Sequence, residues 1–333
     1  MTEDITPVRI TGIGSWPGTD MGDALKITFA ECPDLPYLPE LPARGPHSQL
    51  IGRAAALLTG LAIDLSPVGW RLSDNSARDH RLATATLRSD LDLLEEVAQG
   101  YAGPVKISVV GPWTLAANLD RPRGDRVLAD PGARRDLGQS LGEGTGTLIT
   151  ELRRRLPDVQ LRVQLDEPSL PAVLCGSIAT ASGFFRYRAI DVPEVSTTLR
   201  EIVATVSASG ATVTVHCCAA QAPIALLHHA GVAAIYLDLD QLTAGDWDDV
   251  ALCLENGVEI GLGAVPTDRA VTPEDVARRV VARLSDLGLE PAVSGRIVIT
   301  PTCGLASATS DGAVAILRTA RQAAAIVTDQ LAA

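Results

Sequence analysis

The chain has 333 residues, 46% hydrophobic and only 3% aromatic, with a net charge of −12. The length suits one large α/β unit with an aliphatic core, and the negative charge excludes a nucleic-acid backbone or an anionic membrane surface as a partner held by bulk electrostatics. No uncharged apolar run reaches the roughly 18 residues that span a bilayer, and six cysteines are too sparse for a disulfide scaffold, so they read as metal-binding, catalytic or packed thiols.

The N-terminus, Met1-Thr2-Glu3-Asp4, is acidic and lacks an apolar signal region, which points to a cytoplasmic protein. Val8-Arg9-Ile10-Thr11 reads as a strand running into Gly12-Ile13-Gly14-Ser15-Trp16-Pro17-Gly18. The spacing is wrong for a dinucleotide loop; glycines here let the backbone approach a small ligand at a strand end. Asp20 caps a helix through Glu31. Pro33 to Pro46 holds five prolines in fourteen residues and reads as an irregular loop, after which Ser48 caps a helix to Leu58. Leu61 to Arg71 is taken as a second strand, and Ser73 to Ala98 as a long helix with Leu82, Leu87, Leu91, Leu94 and Val97 on one face. Pro104 to Val110 is a strand ending at Gly111-Pro112-Trp113, and Pro131 to Leu156 is a helix.

Val159 to Leu165 is a strand ending in Asp166-Glu167-Pro168; two carboxylates there are costly unless they meet a ligand, a cation, water or a helix end to cap. Pro193 to Ser207 is helical. Val213-Thr214-Val215 then runs into His216-Cys217-Cys218. The next strand ends Leu237-Asp238-Leu239-Asp240, Glu259 to Val265 is another, and Thr272 and Pro273 open a helix to Leu287. Arg296 to Ile299 leads to Thr302-Cys303-Gly304-Leu305, and a helix covers Asp311 to Leu331. Eight strand-like runs, near residues 8, 66, 105, 160, 212, 234, 259 and 297, alternate with helical patterns. The expected fold is a single-domain (β/α)8 TIM barrel spanning residues 1–333.

In such a barrel all strand C-termini share one mouth. Ile13, Gly14, Ser15, Asp166, His216, Cys218, Asp238 and Cys303 would meet there. His216 and Cys218 are two apart on an extended strand and face the same way. With Cys303 they make a nitrogen-and-sulfur donor set suited to Zn2+, leaving a fourth position for a carboxylate, a water or a substrate sulfur. Cys217 faces the other way and belongs to packing, as do Cys32 and Cys253.

The motifs Ile13-Gly14-Ser15 with Pro17, Gln164-Leu165-Asp166-Glu167-Pro168, His216-x-Cys218, an acid ending the next strand and Cys303-Gly304-Leu305 resemble the catalytic barrel of cobalamin-independent methionine synthases. The resemblance implies zinc held by His216, Cys218 and Cys303, completed by Asp238, with Asp240 as the alternate. It implies that the backbone of Ile13 and Ser15, across Gly14, and the Asp166 side chain, beside Glu167, hold the amino-acid part of a thiol substrate. Other features depart from the family. Its His-Gly-Glu after the second strand is replaced by Pro67-Val68-Gly69-Trp70, and Gly263-Ala264-Val265-Pro266-Thr267 lacks the histidine proposed as proton donor.

The expected function is a zinc-dependent methyltransferase of methionine biosynthesis. Homocysteine is the acceptor, and methyltetrahydrofolate or a methylated corrinoid protein is the donor. Opening of an epoxide by another small thiol, transfer of another alkyl group, and a non-catalytic zinc-binding barrel are the alternatives.

Overall fold

A computed structural model describes residues 6–74, 78–288 and 291–332. Nine strands are found among them: β1 (Arg9–Ile10), β2 (Ala62–Ser66), β3 (Gly69–Ser73), β4 (Pro104–Val110), β5 (Gln160–Asp166), β6 (Thr212–Cys217), β7 (Ala234–Asp238), β8 (Glu259–Val265) and β9 (Ile297–Pro301). Seven form one curled parallel sheet in the order β1-β9-β8-β7-β6-β5-β4. Helices Pro131–Arg155, Val192–Ala208, Ala244–Glu255, Pro273–Asp286 and Ser310–Ala332 alternate with these strands, as the sequence pattern requires. Asp20 and Thr272 cap their helices as expected, accepting from the amides of Asp23 and Asp275. Ser48 does not: it ends a 3-10 turn, and only the four-residue helix Leu50–Arg53 follows.

Among the described residues the parallel sheet has seven strands and is not closed into the expected eight-stranded barrel, because the expected second strand lies elsewhere. Residues 62–66 turn at Pro67-Val68 and pair antiparallel with Gly69–Ser73. A strand buried between parallel neighbours is apolar on both faces, whereas Leu65 is exposed and Asp64 pairs with Arg71 at the surface. The gap between β1 and β4 is spanned instead by residues 36–40. Leu38 N donates to Lys106 O, Lys106 N to Pro36 O, Glu40 N to Gly14 O and Trp16 N to Glu40 O. Pro36 and Pro39 have no N–H to offer, so the segment makes isolated bridges rather than a regular ladder.

Side chains of the parallel strands divide by period two. Leu161, Val163 and Leu165 join the apolar layer beneath the helices, while Arg162, Gln164 and Asp166 face the sheet's concave interior. The interior is correspondingly polar. At its lower end Glu259 binds Arg9, Arg162 (2.7 Å) and the Tyr236 hydroxyl (3.0 Å). Above these the small cluster Ile13, Ala234, Tyr236 and Val298 is separate from the main core.

Candidate active site

The upper end of the interior opens into a cavity of about 320 Å³ lined by Ile13, Gly14, Ser15, Glu40, Asp166, Pro168, His216, Cys218, Cys303 and Gly304 among others. This size accommodates a small metabolite. The residues named here follow, or end, strands at their C-terminal ends or belong to the segment that fills the gap; Pro42 and Leu50, from the turns beyond that segment, complete the lining.

The register of β5 and β6 puts Asp166 opposite His216, and the Asp166 carboxylate accepts the His216 Nδ1–H bond at 2.8 Å. Gln164 Nε2 donates to the same oxygen at 2.7 Å. With Nδ1 engaged, Nε2 is left as the ring nitrogen available to a ligand, and it is buried without a hydrogen-bond partner. The thiols of Cys218 and Cys303 lie 3.9 Å apart. The hydrogen bond from Cys218, with His216 nearby, holds Cys303 down to about 6, while Cys218 itself is pushed up by that bond to Cys303 and by burial. Among the described residues no group of three or more His, Cys, Asp or Glu side chains is gathered tightly enough to hold a metal ion. The two thiols and the free imidazole nitrogen nevertheless have the donor chemistry of a zinc site. Two thiolates on one tetrahedral zinc with ~2.3 Å bonds stand about 3.8 Å apart.

Asp238 ends the neighbouring strand β7 but does not line the cavity. Its carboxylate accepts from Asp240 N at 2.9 Å and caps the turn Leu239–Gln241, and burial raises it above its ordinary value. Asp240, the alternate, is paired with Arg279 and Arg269 at the surface. Cys217, Cys253 and Cys32 are buried in packing, as expected.

Asp166 and Glu167 part company because adjacent strand residues face opposite ways. The Glu167 carboxylate is fully buried and accepts from Trp113 N (2.9 Å), Thr114 N (2.7 Å) and Thr114 Oγ1 (2.8 Å). It therefore serves the N-terminus of the helix Pro112–Asn118 rather than the cavity, and burial raises it to about 7. Gly111 makes room for this, since a Cβ there would lie 2.3 Å from Glu167 Cδ.

The stretch Ile13-Gly14-Ser15 is pinned from several sides. The Ile13 carbonyl accepts three donors: Lys106 Nζ (2.9 Å), Ser108 Oγ (3.1 Å) and Gln164 Nε2 (2.7 Å). The Gly14 carbonyl accepts from Glu40 N and the Ser15 carbonyl from Leu305 N at 2.8 Å. Among the described residues the amides of Gly14 and Ser15 find no acceptor in the protein. Gly304 packs against Ser15 so closely that a Cβ would lie 2.0 Å from Ser15 Oγ.

Two residues at or behind the cavity wall, Glu40 and Lys106, escape a motif-based reading. Glu40 lines the wall, pairs with Arg53 Nε at 3.0 Å, and is pushed by burial up to about 6. Lys106 is fully buried, donates to Gln164 Oε1 at 2.6 Å, and is lowered to about 8 by burial. Gln164 links it to Asp166. The period-two rows Lys106/Ser108 and Arg162/Gln164/Asp166 are the sequence signal that could have found them, since each strand also carries apolar residues on its other face.

The family model described as "Cobalamin-independent synthase, Catalytic domain" matches residues 95–326. A solved B12-independent methionine synthase from Shewanella sp. W3-18-1, in complex with selenomethionine, superposes with a TM-score of 0.65. The two are 13% identical, over 98% of this chain and 99% of that one. A D-allulose 3-epimerase from Methylomonas sp. reaches a TM-score of 0.47 at 12% identity, over 95% of this chain and 96% of that one. No curated protein matches the chain. With well over half its length matched by the family model, the chain belongs to the family of the cobalamin-independent synthase catalytic domain.

Proposed function

We propose that this protein transfers a methyl group to the sulfur of homocysteine, giving methionine, in the cavity at the strand C-termini. The observation that carries this reading is one convergence: two thiols 3.9 Å apart, a buried imidazole nitrogen without a partner, and a carboxylate beside two free backbone amides. Sulfur and nitrogen donors suit a metal that takes a thiol. A carboxylate and free amides suit the ammonium and carboxylate of an amino acid.

Zn2+ held by His216, Cys218 and Cys303 would keep the bound substrate sulfur a thiolate at neutral pH. Asp166 keeps the His216 ring in the tautomer whose Nε2 faces outward to a ligand. Asp238, at the end of the neighbouring strand β7, would fill the fourth ligand position when substrate is absent, giving up its bond to the turn it caps, and would yield that position to the incoming sulfur. Asp166 and Glu40, both acidic and both lining the cavity, attract the substrate ammonium. The methyl donor is methyltetrahydrofolate or a methylated corrinoid protein. A thiol substrate and thiol ligands both require a reducing compartment, which the cytoplasm provides.

The test is an assay of the purified, zinc-supplied protein with homocysteine and each donor in turn, with methionine read by mass spectrometry. Methionine from at least one donor supports the reading. No methionine from any donor, with homocysteine unconsumed, removes it.

A further inference from the structure

Lys106 is the most conspicuous buried charge that the proposed chemistry leaves unused. It is fully buried on β4, stands 5.2 Å over the Tyr37 ring, and reaches two acceptors, Ile13 O and Gln164 Oε1. Burying an ammonium in this way is costly unless its hydrogen bonds do something that a neutral side chain would not. What it touches is informative. The Ile13 carbonyl and the Gly14 N–H belong to the same peptide unit. That unit's oxygen is loaded with a cation and two further donors, Ser108 Oγ and Gln164 Nε2. Its nitrogen belongs to a residue lining the cavity and has no acceptor in the protein among the described residues.

Donation to a carbonyl withdraws electron density through the peptide and makes its N–H a stronger donor, so hydrogen bonds in a chain reinforce one another. The next peptide is arranged alike: Glu40 N donates to Gly14 O at 3.0 Å, and the Ser15 amide beyond it is free. The geometry points to Lys106 as a positioning residue that polarises the Ile13–Gly14 peptide from behind, so that the Gly14 N–H binds the anionic carboxylate end of the substrate. The inference rests on the amino-acid thiol reading above and deepens it, because it says why an amino acid would be preferred to the same thiol without a carboxylate.

The experiment compares homocysteine with 3-mercaptopropylamine, which has the same thiol and amine but no carboxylate. Dissociation constants are measured by calorimetry on the zinc-loaded protein and on Lys106→Met and Lys106→Gln, with circular dichroism and thermal melting as controls for folding. In the unaltered protein homocysteine binds the tighter. Lys106 strengthens that bond without making it, by roughly 10–30%, so the preference falls by about threefold in Lys106→Met while 3-mercaptopropylamine binds nearly as before. Lys106→Gln, which keeps a donor without the charge, recovers part of the preference, and it decides the matter alone if Lys106→Met does not fold. An undiminished preference in the variants overturns the inference. Equal weakening of both thiols also overturns it, since that is what loss of structure alone would do. Unaltered protein that makes methionine yet binds the two thiols equally overturns this inference and leaves the methyl-transfer reading standing; protein that binds neither thiol overturns both.

Discussion

Removing the Glu167 carboxylate tests whether this acid holds the fold or the substrate. In Glu167→Ala, Trp113 N and Thr114 N lose their only acceptor at the start of a seven-residue helix. A stranded buried N–H costs about 1–3 kcal/mol. Thr114 Oγ1 loses its bond too, but it still accepts from Ser169 N at 3.1 Å and can turn. Against these losses stands relief from burying a carboxylate that burial already raises to about 7. The net loss should be about 3 kcal/mol, roughly a 5 °C fall in melting temperature for a chain of this size. Glu167→Gln should cost about 2 kcal/mol, because its amide NH2 must face either the Trp113 or the Thr114 N–H, donor against donor. Differential scanning calorimetry and urea unfolding measure both. A Glu167→Ala protein that melts with the unaltered one but binds homocysteine poorly would refute the argument and return Glu167 to the binding site.

Other consequences follow from the same geometry. Lys106 is lowered by burial from 10.5 to about 8, against the opposing charges of Asp166, Glu40 and Cys32. Between pH 8 and 10.5 the unfolded chain binds the proton that the native one has lost, so this group's contribution makes stability rise with pH, on the order of 3 kcal/mol in all. The difference in urea midpoint between the unaltered protein and Lys106→Met should therefore change with pH across that window and be flat below it; a constant difference would contradict the assignment. Gly304→Ala drives a methyl into Ser15, 2.0 Å from Oγ and 3.1 Å from Cβ, and should weaken homocysteine binding by about tenfold with little change in unfolding midpoint. Cys218→Ser and Cys303→Ser should each lose stoichiometric zinc after dialysis against a mild chelator, whereas Cys217→Ser, Cys253→Ser and Cys32→Ser keep it and Asp238→Ala loses it only in part. Equal zinc content in Cys218→Ser and unaltered protein would refute the ligand set.

The parallel strands and the residues at their ends are legible in the sequence because burial and period do the writing. β-branched runs such as Val213-Thr214-Val215 specify buried strands, and a donor triplet such as His216, Cys218 and Cys303 is rare enough at strand ends to stand out. The second strand is misread because a short apolar run, Leu61 to Arg71, looks the same whether it enters a barrel or folds back on itself; the Pro67-Val68 turn decides. The segment at residues 36–40 is hidden for the opposite reason. Its prolines forbid a regular ladder, yet the N–H groups of Leu38 and Glu40 suffice to bridge both sheet edges. Glu167 illustrates the power of alternation: next to an inward Asp166 it must face outward, toward the helix it caps. Lys106 is hidden in the sequence because a lysine in a strand ordinarily reads as solvated, and the polar interior formed with its neighbours on β5 gives it partners.

The most direct test of thiol activation at this site is zinc-edge X-ray absorption on the loaded protein, recorded with and without homocysteine. Homocysteine is expected to add one sulfur to a coordination shell built from His216, Cys218 and Cys303, at the distance of a zinc–thiolate bond, ~2.3 Å. A shell of unchanged composition at saturating homocysteine would contradict it.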